Sequence, residues 1–451
     1  PEGLDRRVAR RRWLAAAWAL VALASLVSTA RLAAFAGDSS RGFVVGTDNP
    51  FWFGHLCLPA YLHGAELALA GEENLYAASH WPGLDAQAAP ESRFAGMKIE
   101  DPYQYPPPFL LLPALAGALT ARWDLLLAGW FTLSAGLFVA AYAGLARWTG
   151  GRSGATALWL LPLVAMAFPV VYNFQFGQFH LAAISLALLG MMALDRKRRL
   201  AGGFLVAVAI VAKVFPALLV AWLIGRRRLR DAGAVILAVA ALTAAALVVF
   251  GPAPFVAFVD YQLPRLADGT AFAFDEAWPE VAEMVIADNQ GIFGLARKLG
   301  ASKPAAATAG RIFALLLGLV AVGLGAQRRQ RNELELAWLW LALLGLGSMA
   351  SPGAWGDYVP SVAIWLLAFV AARGAASARL AAALGVAGLF QYVLLGTFPW
   401  TPSVWGYLLS GIGVVGLLAL YAGTLVVVAR PRPPEGSLER SIAGWAPSDA
   451  T

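Results

Sequence analysis

The feature that most limits the fold of this chain is a series of long apolar runs that end in arginine clusters. A helix needs about 20 predominantly apolar residues to cross a bilayer, and most of the runs approach or exceed that length. Hydrophobic residues make up 59% of the 451 residues and charged residues only 14%, so the sequence predicts an all-α polytopic membrane protein. The runs cover residues 13–35, 124–146, 154–172, 178–194, 231–250, 306–326, 335–349, 358–372, 379–397 and 403–429.

The arginine clusters choose the arrangement of these runs, because basic residues favour the cytoplasmic side of a membrane. All clusters fall on one side if the short run 108–121 is non-crossing or re-entrant and if 200–212 and 214–225 form a V. The tip of that V carries Lys213 away from the cytoplasm. Ten crossings then place both termini in the cytoplasm, with 430–451 as a disordered tail. In the alternative arrangement, 108–121 and both arms of the V are full crossings.

Two long loops face the opposite side and are acidic. Loop 36–107 carries nine acidic and three basic residues, and loop 251–305 carries seven and four. Both are too short to be separate enzymes, so the sequence predicts one transmembrane domain over 1–429 with any chemistry at the membrane face. The net charge of +7 comes largely from arginines at the ends of apolar runs, which argues against a nucleic-acid partner. We expect the first run to be an uncleaved span; the alternative is a signal peptide cleaved after Ala36, but the run exceeds a typical signal core.

Asp48 lies just past the first run, in a loop crowded with aromatic residues. A carboxylate held at a membrane surface suits a general base for a reaction whose donor is dissolved in lipid. The stretch 51–70 that follows mixes aromatic and polar residues with apolar ones and predicts a helix lying in the interface. Asp48 could instead cap that helix, and a cap does not exclude a catalytic role.

Further polar motifs fall on the same predicted side as Asp48. Each is compatible with substrate binding and with a structural role as an aromatic anchor, a helix cap or a turn. Lys213 is costly in lipid unless it meets water or an anion such as a lipid phosphate, or snorkels to the interface. The candidate substrate-binding residues are Lys213, Tyr103, Tyr105, Gln178, His180, Asn289, Gln290 and Trp355.

These residue types suit the transfer of a sugar from a lipid phosphate, which needs a base, a cation for the departing phosphate and polar groups around the sugar. We expect no cofactor and no metal, because the chain has no Asp-x-Asp, HExxH or CxxC motif. The expected partners are a polyprenyl-phosphate sugar, a lipid or glycan acceptor and membrane lipids. Two alternatives are a ligase or polymerase of lipid-linked glycans, with more arginine in its long outer loop, and a lipid or solute transporter, with ionisable residues along a path.

The order of the motifs resembles glycosyltransferase family 87 of the GT-C superfamily. The resemblance covers about 13–425, and His180 and Gly291 depart from the asparagine and serine that are common there. It is carried by Asp48, Gly71 with Leu75-Tyr76, Tyr103-x-Tyr105-Pro106-Pro107, Gly177-Gln178, Ala201-Gly202 to Lys213-x-x-Pro216, Asn289-Gln290, and Ser351-Pro352 with Trp355.

The resemblance implies a GT-C-type bundle of about ten crossing helices, with re-entrant or short helices and interfacial helices in the first outer loop. It implies a membrane hexosyltransferase of the α-mannosyltransferase type that takes its sugar from a polyprenyl-phosphate donor. Asp48 would be the catalytic base, and the product an inverted α-linked glycoside. The site would face outward from the cell membrane, as the charge pattern also predicts.

Overall fold

The structure is a computed structural model, and it describes residues 2–38, 56–81, 92–94, 97, 99, 101–272, 286–356, 358–374 and 404–430. This part of the chain is helical, with short 3₁₀ and π turns and no β-strand. Its helices are α1 (Glu2–Gly37), α2 (Leu58–Leu69), α3 (Leu111–Leu119), α4 (Trp123–Thr149), α5 (Gly151–Trp159), α6 (Leu161–Ala165), α7 (Phe168–Gln175), α8 (His180–Asp195), α9 (Arg199–Ala212), α10 (Ala217–Gly225), α11 (Leu229–Phe250), α12 (Ala253–Ala257), α13 (Leu263–Asp268), α14 (Ile292–Lys298), α15 (Lys303–Ala326), α16 (Glu333–Met349), α17 (Tyr358–Ala371) and α18 (Val404–Ala429).

Five helices of the described chain are long and apolar enough to cross a membrane, within α1, α4, α11, α15 and α18. A sixth span results if α7 and α8, which meet at 106°, count as one broken crossing. Leu237 and Val248 of α11 are 70% and 86% exposed, as expected of side chains that face lipid. The chain is therefore a multi-pass membrane protein, and the count of ten crossings stays a prediction.

Two predicted elements differ from the structure. The run 154–172 lies in three successive helices, α5, α6 and α7, and Pro162 and Pro169 stand at the starts of the last two. Proline fits the first turn of a helix but interrupts a continuing one, so these residues divide the run. The described part of the predicted interfacial stretch is α2, and nine of its twelve residues are buried, so it packs inside the protein.

Three further predictions fall on parts of the chain outside the described residues. They are the span 379–397, the disordered tail beyond residue 430, and the placement of Asp48.

Helices α9 and α10 form the predicted V. The ends of the two arms that are remote from the tip meet at Asp231. Its carboxylate accepts hydrogen bonds from Arg199 Nε at 3.0 Å and Arg228 Nε at 2.7 Å. Between the arms, Lys213 has extended backbone, with φ −147° and ψ 116°, and Pro216 precedes α10. Lys213 therefore lies at the tip of the V, at the opposite end from these arginines.

Other arginine clusters join the end of the bundle that holds Asp231. Arg226 Nη1 donates to the carbonyl of Gln327, just after α15, at 3.0 Å. Arg329 Nη1 donates to the carbonyl of Val428, near the end of α18, at 2.7 Å. The clusters around residues 226, 329 and 430 thus share one end, as the predicted arrangement requires.

Glycines bring α8 and α9 into close contact. A Cβ atom on Gly202 would lie 2.8 Å from the carbonyl oxygen of Gly190, and one on Gly190 would lie 2.9 Å from that of Gly202. Small residues allow membrane helices to approach in this way. Because α8 begins at His180 and α9 ends beside Lys213, the contact brings these two ends together.

Candidate active site

A cavity of about 550 Å³ lies at the tip of the V, away from the arginine clusters. Its size is within the range of small-molecule sites. Helices α2, α9, α13, α15, α16 and α17 contribute to its walls, together with the loops that precede α3, α8, α10, α14 and α17. Within the described part of the chain, the charged residues in its lining are Asp101, Lys213, Asp288 and Arg311.

Lys213 lies against two tyrosines in the cavity wall. Its Nζ atom donates to Tyr105 Oη at 2.9 Å. The same atom lies 4.5 Å from the ring centroid of Tyr105 and 4.6 Å from that of Tyr358, within the range of a cation–π contact. The ammonium group is therefore held at one place in the wall, where it can contact an anion.

Gln178 connects this wall to α2 and α17. Its Oε1 atom accepts from Tyr61 Oη at 2.7 Å and from Tyr105 Oη at 3.3 Å. Its Nε2 atom donates to Tyr358 Oη and, at 3.2 Å, to Cys57 Sγ. Burial raises the pKa of Tyr61 and that of Tyr105 above the ordinary phenol value, so both hydroxyls keep their protons at neutral pH. They are hydrogen-bond donors here and not bases.

Tyr103 supports Tyr105 from behind the cavity wall. Its ring packs on Gly64 of α2, where an added Cβ would lie 3.0 Å from the ring, and its hydroxyl donates to the carbonyl of Pro106 at 3.0 Å. Tyr76 Oη donates to the carbonyl of Tyr105 at 2.9 Å. The stiff proline-rich segment is thus fixed on both sides of the residue that contacts Lys213.

Two loops, 286–291 and 351–356, are joined by hydrogen bonds beside the cavity. The backbone N–H of Gln290 and the Nδ2 atom of Asn289 each donate to a carbonyl of the second loop at 2.6 Å. The side chain of Gln290 is buried and donates to Ser410 Oγ of α18 at 3.3 Å. Asn289 and Gln290 therefore shape the loops and do not line the cavity.

Asp288 brings a carboxylate from this loop pair into the cavity. Its Oδ2 atom accepts from the Gly356 N–H at 3.1 Å. Burial raises the pKa of Asp288 to about 6, and the Gly356 N–H and the charge of Lys298 partly oppose this rise. Burial likewise lowers the pKa of Lys298 to about 7, while its Nζ atom donates to the carbonyl of Asn289 at 2.6 Å. The charges of Asp288 and Lys298 thus each favour the ionised form of the other group.

The cavity opens to the surface of the protein beside α13. Val214 and Leu263 line the cavity and are also 63% and 46% exposed. Arg311 of α15 lines it too, and an arginine in a membrane helix is expected to face such a polar space. This opening combines an apolar wall with a cation, which suits a lipid that carries an anionic head group.

The structure brings four of the eight predicted binding residues into the cavity wall: Tyr105, Gln178, Lys213 and Trp355. The other four, Tyr103, His180, Asn289 and Gln290, are buried behind it. His180 stacks on Tyr358, with ring centroids 4.5 Å apart, so it supports a residue that contacts Lys213. Asp48 lies outside the described residues.

The polar lining also contains residues that were not predicted as binding residues from the sequence, among them Tyr61, Asp288, Arg311 and Tyr358. Asp288 and Tyr358 stand in recognisable polar motifs, but an irregular loop has no periodicity to indicate which side chain faces a site. Arg311 did carry a signal, because it is a charge inside an apolar run.

The profile of glycosyltransferase family 87 matches residues 103–352 of this chain, which is more than half of the sequence. The matched region includes Tyr105, Gln178, Lys213 and Asp288 of the cavity wall. No curated protein matches the chain.

Proposed function

The chain belongs to glycosyltransferase family 87, and we propose that it moves one sugar from a polyprenyl-phosphate carrier to a lipid or glycan acceptor. In this proposal the donor sugar is mannose, and the reaction inverts a β-linked donor into an α-linked product. The reaction takes place at the outer face of the cell membrane, in a single transmembrane domain over 1–429 with cytoplasmic termini.

The observation that carries this proposal is a cavity in which an exposed, apolar opening leads to a fixed ammonium group. A polyprenyl-phosphate sugar needs an apolar path for its chain, cations for its phosphate and polar groups for its sugar. Val214 and Leu263 suit the path, and Arg311 and Lys213 suit the phosphate. A cation held in place where negative charge develops lowers the barrier to departure of the phosphate.

Asp48 is the general base of the proposed reaction, an assignment that rests on the sequence. Its carboxylate takes the proton from the acceptor hydroxyl, whose oxygen attacks the anomeric carbon on the face opposite the phosphate. The bond between that carbon and the phosphate oxygen breaks, and its electron pair leaves with the phosphate. Lys213 stabilises the charge that the phosphate gains.

The test is sugar transfer from a panel of labelled polyprenyl-phosphate sugars in membranes that contain the protein. We expect transfer by the unmodified chain and a decrease of about 10²–10⁴-fold for Asp48→Asn, because the amide cannot accept the proton. Asp124→Asn is the matched control, since Asp124 pairs with Arg122 on the exposed surface outside the cavity. Normal transfer by Asp48→Asn would remove the base assignment, and no transfer from any prenyl-phosphate sugar would remove the proposed donor.

A further inference from the structure

The carboxylate of Asp288 has no part in the proposed base or phosphate roles. It lines the cavity and is partly accessible within it. Its Oδ2 atom is bound by the Gly356 N–H, whereas no residue of the described chain donates a hydrogen bond to its Oδ1 atom. One oxygen is thus held by the protein, and the other accepts no hydrogen bond from the described residues, so its hydrogen-bonding capacity is left for a ligand.

The surroundings of Asp288 hold this carboxylate in one orientation. Gly356 packs directly on it, so that a Cβ atom at residue 356 would collide with the carboxylate. The hydrogen bonds between the loops 286–291 and 351–356 fix the backbone on both sides. A carboxylate in such a fixed position can discriminate between ligands by the direction of their hydrogen-bond donors.

The chemistry of the position favours hydroxyl groups as its ligand. An ionised carboxylate only accepts hydrogen bonds, and each oxygen can accept two. A phosphate would be repelled by it. Among the described residues, no group of three histidine, cysteine, aspartate or glutamate side chains could hold a metal ion. The aromatic ring of Trp355 precedes Gly356 in the same loop and also lines the cavity, and an indole face can pack on a pyranose ring.

We propose that Asp288 selects the donor sugar by accepting hydrogen bonds from its hydroxyls through Oδ1, with Trp355 against the sugar ring. This inference rests on the proposed function, since it assigns the sugar of a prenyl-phosphate donor to Asp288 and the phosphate to Lys213. The two residues line one cavity, which gives a single donor molecule access to both.

The experiment measures equilibrium binding to the purified full-length protein in lipid nanodiscs. The probes are farnesyl phosphate without a sugar and farnesyl phosphate carrying β-linked mannose, glucose or galactose. We expect the unmodified protein to bind one sugar at least about tenfold more tightly than the other two, because a site that hydrogen-bonds hydroxyls rejects epimers that misplace them. Asp288→Asn keeps the shape but replaces one acceptor with a donor, and should reduce the preference to within about threefold.

The affinity for farnesyl phosphate alone separates this inference from the proposed function. This affinity should be the same in the unmodified protein, in Asp288→Asn and in the control Asp124→Asn. The control should also keep the sugar preference of the unmodified protein. An unchanged sugar preference in Asp288→Asn, or none in the unmodified protein, would overturn the inference and leave the donor class standing. If Asp288→Asn lost farnesyl phosphate binding as well, its role would be structural and the inference would also be wrong. Failure of the unmodified protein to bind farnesyl phosphate would overturn both proposals.

Discussion

Lys213→Met is the substitution that tests the centre of the cavity most directly. Methionine keeps the length and apolar stem of lysine but removes the ammonium group. That group lies 2.9 Å from Tyr105 Oη and 4.5 and 4.6 Å from the ring centroids of Tyr105 and Tyr358. A hydrogen bond to a charged group contributes about 1.5–3 kcal/mol. At 1.36 kcal/mol for each factor of ten, loss of the contact with a lipid phosphate should raise the donor dissociation constant by about 10–150-fold.

The assay is binding of labelled farnesyl phosphate to the purified protein in nanodiscs, with the KM for the acceptor measured separately. We expect the dissociation constant of the donor to change much more than the KM for the acceptor. Lys213→Arg retains the charge and should lose less than about tenfold. Lys197→Met is the matched control, because Lys197 is exposed in the turn between α8 and α9, at the end of the bundle away from the cavity.

Donor affinity in Lys213→Met within threefold of the unmodified protein would refute the phosphate role. Some loss of thermal stability is expected as well, since each cation–π contact is worth about 0.5–2 kcal/mol. This loss should be the same with and without the lipid if Lys213 has only a structural role. A stabilising effect of the lipid that disappears in the variant would indicate binding through the ammonium group.

Two further predictions concern stability, measured by thermal unfolding in detergent. Gly202→Ala should destabilise the protein by about 1–3 kcal/mol, because its Cβ would lie 2.8 Å from the Gly190 carbonyl oxygen. The control Gly233→Ala should be neutral or slightly stabilising, because no atom of a neighbouring element lies within 4 Å of the added Cβ. Equal effects of the two substitutions would contradict the close contact between α8 and α9. The raised pKa of Asp288 means that, between about pH 4 and pH 6, the folded state keeps a proton that the unfolded state has already lost. The free energy of unfolding should therefore be highest below about pH 4 and should fall by at most about 3 kcal/mol as the pH rises to about 6. Asp288→Asn should remove this decrease, and an unchanged pH profile would contradict the burial of the carboxylate.

The features that could be predicted from the sequence are those with a strong local cause. The break at Lys213 follows from a lysine and Pro216 between two apolar arms, and the structure has extended backbone there. The gathering of arginines follows from their positions at the ends of the runs. Pro162 and Pro169 are a local signal for the division of 154–172, and the prediction of a single span from the length and hydrophobicity of the run does not use it.

The features that could not be predicted depend on packing between distant segments. Asp288, Asn289 and Gln290 are consecutive and all polar, yet only Asp288 lines the cavity. That choice is made by hydrogen bonds to a loop more than sixty residues away, which leave no pattern in the sequence. His180 was chosen for the same general reason as Gln178, but it lies behind Tyr358 instead of beside the cavity.

The short lengths of α8 and α9 have a consequence for where substrates must go. With 16 and 14 residues, these helices are about 24 and 21 Å long, whereas the hydrocarbon layer is about 30 Å thick. If the arginine turn between them rests at one boundary of that layer, their other ends stop roughly 6–9 Å below the opposite boundary. Any acceptor would then have to enter the membrane to a depth below the lipid head groups. This depth favours narrow acceptors that diffuse laterally within the leaflet, and it excludes bulky folded molecules.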